Sequence, residues 1–547
     1  MGNGPDDWGQ RVVPAPSRWR RYGPLLIGLA VAVALGTWVL SQTIESSAPV
    51  ISALRGAQPA AAADRQIVQL RLIDATTGVE ITSSHVTFDS IPAAGLGGGR
   101  YAASLAPGAA IAQIDAEGYR PTPMPARRDA GLVVSLIPAI VTGTISDADG
   151  APLPHARVTL DDRGVVSDVD GHFAFDAVPA DPQLEVRASG FANQSIDVGD
   201  RTDVTIVLEP QDIRGAYLTY YGIADPDIRN GVVKLLANDG LNALVVDVKG
   251  DLGYLTYESR VPLADEIGSN NRPTYTNLDE FVAQMKSQGV YMIARIVVFK
   301  DDMLARNGAR VGLDVAVKDR TTGGIWTDGE RLGWVDPFRT EVWDYNTALA
   351  EEAIDRGFDE VQFDYVRFPT DPGVNTALDR AKFSQVPTDE NRPDTITAFL
   401  TRAHEAVNAH GGTLGADIFG YVCWRDDDLG IGQNLERLAT AVDYLHPMVY
   451  PSTFNGLPMD PGYADSPAYP YETVFYSLQR AKARLVGTGV ALRPWLQYFD
   501  DYPWVSGKRY GPTELNAQRR AIRELGLPGW MWWDPTNLYR YGAETHE

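Results

Sequence analysis

The chain has 547 residues, a formal net charge of −23 and a single cysteine, Cys423. Its length exceeds that of one ordinary domain, so we expect several domains. A surface this acidic repels phosphate, which argues against nucleic acid as a partner. One cysteine excludes an intramolecular disulfide and a cysteine-based zinc site.

The N-terminal region contains one unbroken uncharged stretch, residues 24–40 (PLLIGLAVAVALGTWVL). Its length is close to the ~20 residues that a helix needs to cross a bilayer, and four arginines precede it. This charge bias predicts a cytoplasmic tail at 1–22, a single-pass transmembrane anchor at 23–41 and an extracytoplasmic remainder on the cell membrane. A cleaved signal peptide is the alternative, although SQTIESSAP is a poor cleavage site. Residues 42–65, rich in Ala and Ser, predict a linker.

Between residues 66 and 210, short β-rich runs with a period near two are broken by Gly, Pro and Asp, as in VTGTISD, ARVTLDD and VTIVLEP. Together with an apparent internal repeat, they predict two small all-β sandwich modules, at 66–138 and 139–210. The second resembles the carboxypeptidase-regulatory-like family through VTGTISDADGAPLPHARVTL, VVSDVDGHFAFDAVP and EVRASGFANQSIDV. This resemblance implies spacing or weak adhesion without catalysis. The DVDG turn at 168–171 admits a calcium loop, but DG is far more typical of a hairpin turn.

From residue 212 onward, β-rich runs alternate with helical stretches. The predicted strands are 215–221, 242–249, 291–299, 360–368, 413–420, 444–450, 493–499 and 529–534, and helices are predicted at 278–287, 341–356, 395–410, 471–485 and 513–525. This pattern predicts a (β/α)8 TIM barrel of the α/β class over 212–547. A doubly wound sheet is the alternative, but YYGIADPD after the first strand contains no Gly-rich phosphate loop.

Polar and aromatic residues mark the carboxyl ends of the predicted strands, where TIM barrels place their active sites. They are Asp247, Lys249, Arg295, Asp364, Arg367, Asp417, His446, Tyr450, Gln497, Tyr498, Trp532, Trp533 and Asp534. Carboxylates that converge on one mouth repel each other and lose solvation, so function is the expected reason to keep four of them. Glycosidases need two carboxyl groups, and aromatic side chains stack on sugar rings, which together indicate glycoside hydrolysis.

The same region carries a family resemblance, over about 212–542. The segments GFDEVQFDYVRFP, GADIFGYVCW, YLHPMVYPSTF and GWMWWDPTN, together with the first two strands, resemble the bacterial putative glycosyl hydrolase family of TIM barrels, which implies carbohydrate breakdown. By similarity of position to the α-amylase and α-galactosidase groups, Asp364 is the implied nucleophile. One departure is that Gln362 stands where the α-amylase pattern has Arg, and Arg367 follows instead. A structural salt bridge between Asp364 and Arg367 is the alternative interpretation.

Asp417 is the predicted proton donor, because its apolar neighbours Ala416 and Ile418 would raise its pKa by desolvation, with Asp247 and Asp534 as alternatives. The predicted substrate-binding residues are Asp247, Lys249, Arg295, Arg367, His446, Tyr450, Trp532, Trp533 and Asp534. Alternation along a strand means that Trp532 and Trp533 cannot both face the lumen. We expect no cofactor and no metal, since the seven histidines form no H-x-H or HExxH pattern.

These observations predict a membrane-anchored extracytoplasmic glycoside hydrolase that acts on a polysaccharide or cell-wall glycan. The alternative is a catalytically inactive carbohydrate-binding barrel that serves the cell envelope as a scaffold or sensor.

Overall fold

The computed structural model describes residues 66–105, 110–126, 132–238, 240–370, 378–454, 463, 465–501 and 506–541. The predicted tail at 1–22, anchor at 23–41 and linker at 42–65 lie outside this part of the chain. None of the helices within the described ranges combines the length and apolar character that a bilayer span requires. The chain divides into two compact units, one of residues 1–71, 86–113 and 124–132, the other of 72–85, 114–123 and 133–547.

Eight strands follow one another between residues 66 and 136. They are β1 (Gln66–Asp74), β2 (His85–Phe88), β3 (Ile91–Pro92), β4 (Ala94–Gly97), β5 (Arg100–Leu105), β6 (Ala110–Asp115), β7 (Thr122–Ala126) and β8 (Leu132–Leu136). In the first unit, β5 pairs antiparallel with both β1 and β4. Tyr101, Ala103 and Leu105 on β5 are buried while the residues between them are more exposed, which is the period of two that the sequence predicted.

The long continuous part of the second unit, residues 133–547, starts with a seven-stranded sandwich. The strands are β9 (Val141–Asp147), β10 (Arg157–Leu160), β11 (Arg163–Val166), β12 (His172–Phe175), β13 (Gln183–Arg187), β14 (Gln194–Asp197) and β15 (Asp203–Leu208). They form two sheets, ordered β11-β10-β13-β14 and β12-β9-β15. Val158, Phe173 and Ile206 are among the buried side chains of its core. The β-sandwich predicted before the barrel is therefore present.

The DVDG turn between β11 and β12 is closed by its own side chain. Asp168 Oδ1 accepts hydrogen bonds from the amides of Asp170 and His172, at 3.0 and 2.9 Å. Gly171 has φ +76°, and a Cβ there would lie 2.3 Å from the carbonyl oxygen of Ile145. Turn geometry thus accounts for the Asp and the Gly, although the flanking strands β11 and β12 belong to different sheets and do not form a hairpin.

Eight parallel strands then close into a barrel. They are β16 (Ile213–Leu218), β17 (Ala243–Lys249), β18 (Tyr291–Val297), β20 (Glu360–Asp364), β22 (Thr413–Phe419), β23 (Tyr444–Met448), β25 (Trp495–Gln497) and β26 (Gly529–Trp533); β19 (Lys318–Asp319), β21 (Ala381–Lys382) and β24 (Ala491–Leu492) are short additions. Their order is β22-β20-β18-β17-β16-β26-β25-β23, and pairing of β22 with β23 closes the ring. The predicted TIM barrel is confirmed, and each observed barrel strand overlaps its predicted counterpart.

Helices connect the barrel strands. They are α1 (Pro226–Asn238), α2 (Pro262–Ile267), α3 (Leu278–Ser287), α4 (Asp302–Asn307), α5 (Thr340–Asp355), α6 (Asn391–Ala409), α7 (Leu435–Ala439), α8 (Pro470–Arg484) and α9 (Pro512–Leu525). The five predicted helices are α3, α5, α6, α8 and α9. The sequence did not predict α2, α4 and α7, which are too short to show a helical period, or α1, whose Gly231 weakens the local helix propensity.

The seven-stranded sandwich contacts the barrel at the amino-terminal ends of the barrel strands. The amide of Gly190 donates to the hydroxyl of Tyr444 at 3.0 Å, and Ser189 Oγ donates to Asp443 at 3.4 Å. The Arg187 guanidinium bonds the carbonyl oxygen of Gly411, just before β22. Because the strands are parallel, their carboxyl ends lie at the opposite end of the barrel from this contact.

Candidate active site

Three carboxylates from three strands meet at one guanidinium, that of Arg295 on β18. Arg295 Nη1 donates to Asp247 Oδ1 on β17 at 2.6 Å, and Arg295 Nε donates to Asp364 Oδ2 on β20 at 3.1 Å. Asp417 Oδ2 on β22 lies 4.0 Å from the same Nε atom. Asp364 Oδ2 and Asp417 Oδ2 thus lie 3.1 and 4.0 Å from the same atom, Arg295 Nε. The distance between these two oxygens cannot exceed the sum of the two values. Three of the four acids that the sequence placed at strand ends therefore converge, and Asp534 is not among them.

Asp247 is held by the surrounding backbone and by a tyrosine. The Tyr217 hydroxyl donates to its Oδ2 at 2.5 Å, and the amide of Tyr220 donates to the same oxygen at 3.2 Å. Burial raises the pKa of the Asp247 carboxyl, and this outweighs the opposing effect of Arg295 and of the hydrogen bond from Tyr217. Asp247 therefore favours its neutral form more than an ordinary carboxyl does.

Asp417 lies deeper in the lumen. Its Oδ1 accepts hydrogen bonds from Gln362 Nε2 and from the Trp495 indole nitrogen, both at 2.7 Å. Burial raises the pKa of Asp417 well above its usual range, and the negative charge of Asp364 adds to that effect. The sequence predicted this direction from the apolar neighbours of Asp417.

Asp364 has the most accessible carboxylate of the three, with 10% of its side chain exposed against 6% for Asp247 and 1% for Asp417. Its Oδ1 accepts the amide of Tyr365 at 2.6 Å, and its Oδ2 is bound by Arg295. Arg367 does not form the salt bridge considered as the alternative. Instead, its guanidinium packs over the rings of Trp334 and Phe419, at 4.9 and 4.8 Å.

An aromatic wall lines the opposite side of the lumen. The ring of Trp533 stacks on that of Tyr217 with centroids 4.1 Å apart, and the Arg295 guanidinium lies 5.2 Å from the Trp533 centroid. Tyr450 belongs to the same lumen cluster, and its buried hydroxyl has no hydrogen-bond partner among the described residues. A water molecule or a ligand hydroxyl at this position would form the hydrogen bond that the buried Tyr450 oxygen lacks.

A cleft of about 260 Å³ opens above this cluster. Its lining residues are Tyr217, Thr219, Tyr220, Tyr221, Asp247, Gly250, Asp251, Leu252, Tyr254, Arg295, Val297, Tyr365 and Trp533. Aromatic side chains therefore surround the one carboxyl of the trio, Asp247, that lines the cleft. Such a lining suits a sugar, whose C–H faces stack on rings while its hydroxyls meet polar groups.

Lys249, His446 and Trp532 were predicted to bind substrate, and the structure does not bring them to this cluster. Lys249 is fully buried and donates to Asp301 and to Asn346, which lies on α5 in the helical layer. Trp532 packs in the outer core between strands and helices, while Trp533 faces the lumen. A register shift between Asp247 and Lys249 explains why only the first turns inward.

His446 faces inward but belongs to a different network. Its Nε2 pairs with Glu360 Oε1 at 3.0 Å, and its Nδ1 with the carbonyl oxygen of Arg493 at 2.8 Å. Asp534 lies at the end of β26, where its Oδ1 accepts from the amide and hydroxyl of Thr536 at 2.8 and 2.7 Å. His446 therefore links three barrel strands at their base, while Asp534 closes a local turn after β26.

Several residues of the site were not predicted as such. They are Tyr217, Tyr220, Tyr254, Tyr365 and Trp495. Tyr217 stands near the end of the observed strand β16 but in the first half of the predicted strand 215–221, so the strand-end rule did not select it. Tyr254 and Tyr365 follow their strands, in segments whose path the periodicity does not specify.

Within the described residues, the only three metal-capable side chains close enough to share an ion are Asp168, Asp170 and His172, all exposed and remote from the barrel lumen. At the barrel mouth, Arg295 already occupies the position between the carboxylates that a cation would take. A side-chain cation thus already lies among the three acids.

Comparisons with known proteins agree with this architecture. The model of the family described as Putative glycosyl hydrolase domain matches residues 215–539, and that of the carboxypeptidase regulatory-like domain matches 140–209. No curated protein matches the chain.

Solved structures with similar folds include three from bacteria. A hypothetical protein from Ruminiclostridium thermocellum is 33% identical over 37% of this chain and 96% of its own, with a TM-score of 0.32. The PgaB (BpsB) glycoside hydrolase domain from Bordetella bronchiseptica is 16% identical over 61% of this chain and 99% of its own, with a TM-score of 0.43. The catalytic domain of beta-amylase from Paenibacillus polymyxa is 13% identical over 61% and 95%, with a TM-score of 0.38.

Proposed function

This chain belongs to the family described as Putative glycosyl hydrolase domain, and we propose that it is a glycoside hydrolase that cleaves a polysaccharide by carboxylate acid–base chemistry. One observation carries the proposal: Asp247, Asp364 and Asp417 converge on Arg295 beneath an aromatic cleft. Glycoside cleavage needs one carboxyl group that donates a proton and one carboxylate that attacks the sugar or activates water.

Asp364 takes the role of the ionised carboxylate. Arg295 binds one of its oxygens and the Tyr365 amide binds the other, so both contacts fix the orientation of the carboxylate. Its position at the end of the fourth barrel strand and its side-chain exposure, 10% against 1% for Asp417, support this role for Asp364 over Asp417. It would attack the anomeric carbon or deprotonate the water that does so.

Asp247 is the better candidate for the proton donor, in place of Asp417. It lines the cleft, and burial raises its pKa, so its carboxyl can hold a proton that is delivered to the leaving oxygen. Asp417 also favours its neutral form, but its Oδ1 is bound by Gln362 and Trp495 and only 1% of its side chain is exposed. Asp417 is then a positioning residue, whose neutral carboxyl spares Asp364 the repulsion of a second charge.

The remaining side chains bind and orient the sugar. Trp533 and Tyr217 offer ring faces, and Tyr220 and Tyr254 add aromatic surface to the cleft wall. Tyr450 would give its unpartnered hydroxyl to a substrate oxygen beside the acids. Arg295 would stabilise the negative charge that remains on the carboxylates as the glycosidic bond breaks.

Incubation of the full-length protein with a panel of bacterial exopolysaccharides and wall glycans tests the proposal. We expect new reducing ends from at least one glycan, with products resolved by mass spectrometry. Glycan binding in an equilibrium assay without any release of reducing ends would refute the hydrolase and leave a binding protein. The same panel with a chelator present should show unchanged activity, and loss of activity would contradict chemistry carried by carboxylates alone.

The catalytically inactive glycan-binding barrel is the second candidate. One observation favours it: of the three acids, only Asp247 lines the cleft, and all three side chains are at least nine-tenths buried around Arg295. In that case the acids and Arg295 would form a rigid floor beneath the aromatic binding surface. The reducing-end assay separates these two functions.

We further propose that residues 23–41 anchor the protein in the cell membrane, with residues 1–22 in the cytoplasm and the barrel outside. The uncharged stretch at 24–40 and the arginines before it support this placement. The partner is then a polysaccharide or cell-wall glycan, and nucleic acid is not a partner. Sedimentation of the full chain with membranes after alkaline extraction, and its release when residues 1–41 are deleted, would be the expected result.

A further inference from the structure

Tyr365, the residue that follows Asp364, has an unusual backbone conformation. Its φ is +51°, in the left-handed region that bulky residues rarely adopt. Such a conformation costs free energy and persists only where the surrounding structure fixes it, and it is found most often at functional sites. Tyr365 also lines the cleft. The strain therefore lies beside the reacting carboxylate.

The neighbouring backbone holds Tyr365 on both sides. Its amide donates to Asp364 Oδ1 at 2.6 Å, and its carbonyl accepts the amide of Phe299 at 3.3 Å. One residue earlier, the amide of Val298 donates to the carbonyl of Asp364 at 2.9 Å. The same peptide unit that is strained thus also orients the carboxylate of Asp364.

The Tyr365 ring lies at the boundary between the outer core and the cleft. It packs partly against the core that contains Phe363, where the Trp334 ring is 5.8 Å away, and it also lines the cleft. Lys300 Nζ and Arg367 Cζ each lie 5.0 Å from its centroid. Its hydroxyl makes no hydrogen bond to any described residue.

We propose that Tyr365 is a specificity-determining residue: the strained backbone aims its hydroxyl at an oxygen of the sugar bound beside Asp364, while its amide sets the orientation of the Asp364 carboxylate. This inference rests on the proposed function for the identity of the ligand. The chemistry expected of that ligand is a hydrogen-bond acceptor, a hydroxyl or ring oxygen, on a sugar unit that stacks against the aromatic wall of the cleft.

The strain can be tested without any substrate. Tyr365→Ala removes the ring and keeps the strain, whereas Tyr365→Gly removes both, so the Gly variant should have the higher melting temperature. Leu429, which also has a positive φ of 55° and lies outside the cleft lining, gives the matched pair Leu429→Ala and Leu429→Gly. The same order of melting temperatures is expected there, with glycan binding and turnover unchanged. A Tyr365→Gly variant no more stable than Tyr365→Ala would overturn the strain.

The contact is tested with Tyr365→Phe in the full-length protein, which keeps ring and backbone. We expect an unchanged melting temperature and an increase of about three- to tenfold in KM, or in Kd for the bound glycan. Equal values for Tyr365→Phe and the unaltered protein would overturn the contact. If the unaltered protein binds a glycan and does not hydrolyse it, the proposed hydrolase fails, while the effect of Tyr365→Phe on Kd still decides the role of Tyr365.

Discussion

The barrel lumen contains two buried charge networks, one at each end of the strands. At the mouth, three carboxylates surround Arg295. At the base, Glu360, the first residue of β20, is bound by Arg493 Nη1 at 2.7 Å, by His446 at 3.0 Å and by the Tyr291 hydroxyl at 3.1 Å. Both networks contain carboxylates, an arginine and a tyrosine, but only the mouth holds an excess of acid.

This difference appears in the protonation of the acids. Burial alone would raise the pKa of Glu360, yet Arg493 and His446 hold it below its usual value. At the mouth, burial raises the pKa of Asp247 and of Asp417, because one guanidinium cannot compensate three carboxylates. A balanced, sealed network serves stability, whereas an unbalanced one beside a cleft is retained for chemistry.

The largest effect on stability is expected at the base. Glu360→Gln leaves the fully buried Arg493 without its counter-charge, which should lower the free energy of unfolding by about 3–5 kcal/mol. Turnover per folded molecule should stay the same, since Glu360 lies at the opposite end of the lumen from the cleft. Chemical denaturation and an activity assay on the same sample measure both quantities. A stable variant with impaired turnover would contradict the separation of the two networks.

A smaller effect is expected from the protonation of Asp417. Because its pKa is raised in the folded state, the native protein holds a proton that the unfolded chain loses above about pH 4. The contribution of this proton to the free energy of unfolding is complete below that pH. It falls by ~1.4 kcal/mol per pH unit as the pH rises toward the raised pKa of Asp417.

Asp417→Asn should remove that share of the pH dependence. Denaturation curves of the unaltered protein and the variant, measured from about pH 4 upward, should therefore diverge in the variant's favour. Parallel curves would show that Asp417 titrates normally and would weaken its assignment as a neutral partner of Asp364.

The smallest effects are expected from two adjacent tryptophans. Trp533→Phe reduces the stacking surface in the lumen and should raise KM a few-fold, consistent with about 0.5–1.5 kcal/mol for an aromatic pair. Trp532→Phe, its matched control in the outer core, should lower the melting temperature and leave KM unchanged. If both variants altered KM alike, the assignment of the two rings to opposite sides of the strand would be wrong.

The sequence predicted the barrel well because its signals are local. Runs such as NALVVDVK and YMIARIVVF mark buried strands, and the rule that acids at strand ends are functional selected Asp247, Asp364 and Asp417. Alternation also predicted that Trp532 and Trp533 cannot both face the lumen, and the structure places one on each side of β26. Features that follow from side-chain alternation and from position along a single strand were therefore predictable.

What depends on contacts between distant residues was not predictable. Lys249 meets Asp301 and His446 meets Glu360, and nothing near either residue in the sequence indicates those partners. A register shift turns Lys249 away from the mouth, and a positive φ at Tyr365 ends the regular strand beside Asp364. A single backbone irregularity reverses the direction of a side chain, and periodicity cannot show it.

The central claim is that the acids at the mouth break a glycosidic bond, and Asp364→Asn tests it most directly. With the glycan that the unaltered full-length protein hydrolyses, we predict that kcat falls by about 10³-fold or more while Kd for the glycan and the melting temperature change little. Asp355→Asn, at an exposed position on α5, is the control and should retain full activity. An Asp364→Asn variant that still turns over at the original rate would contradict the account.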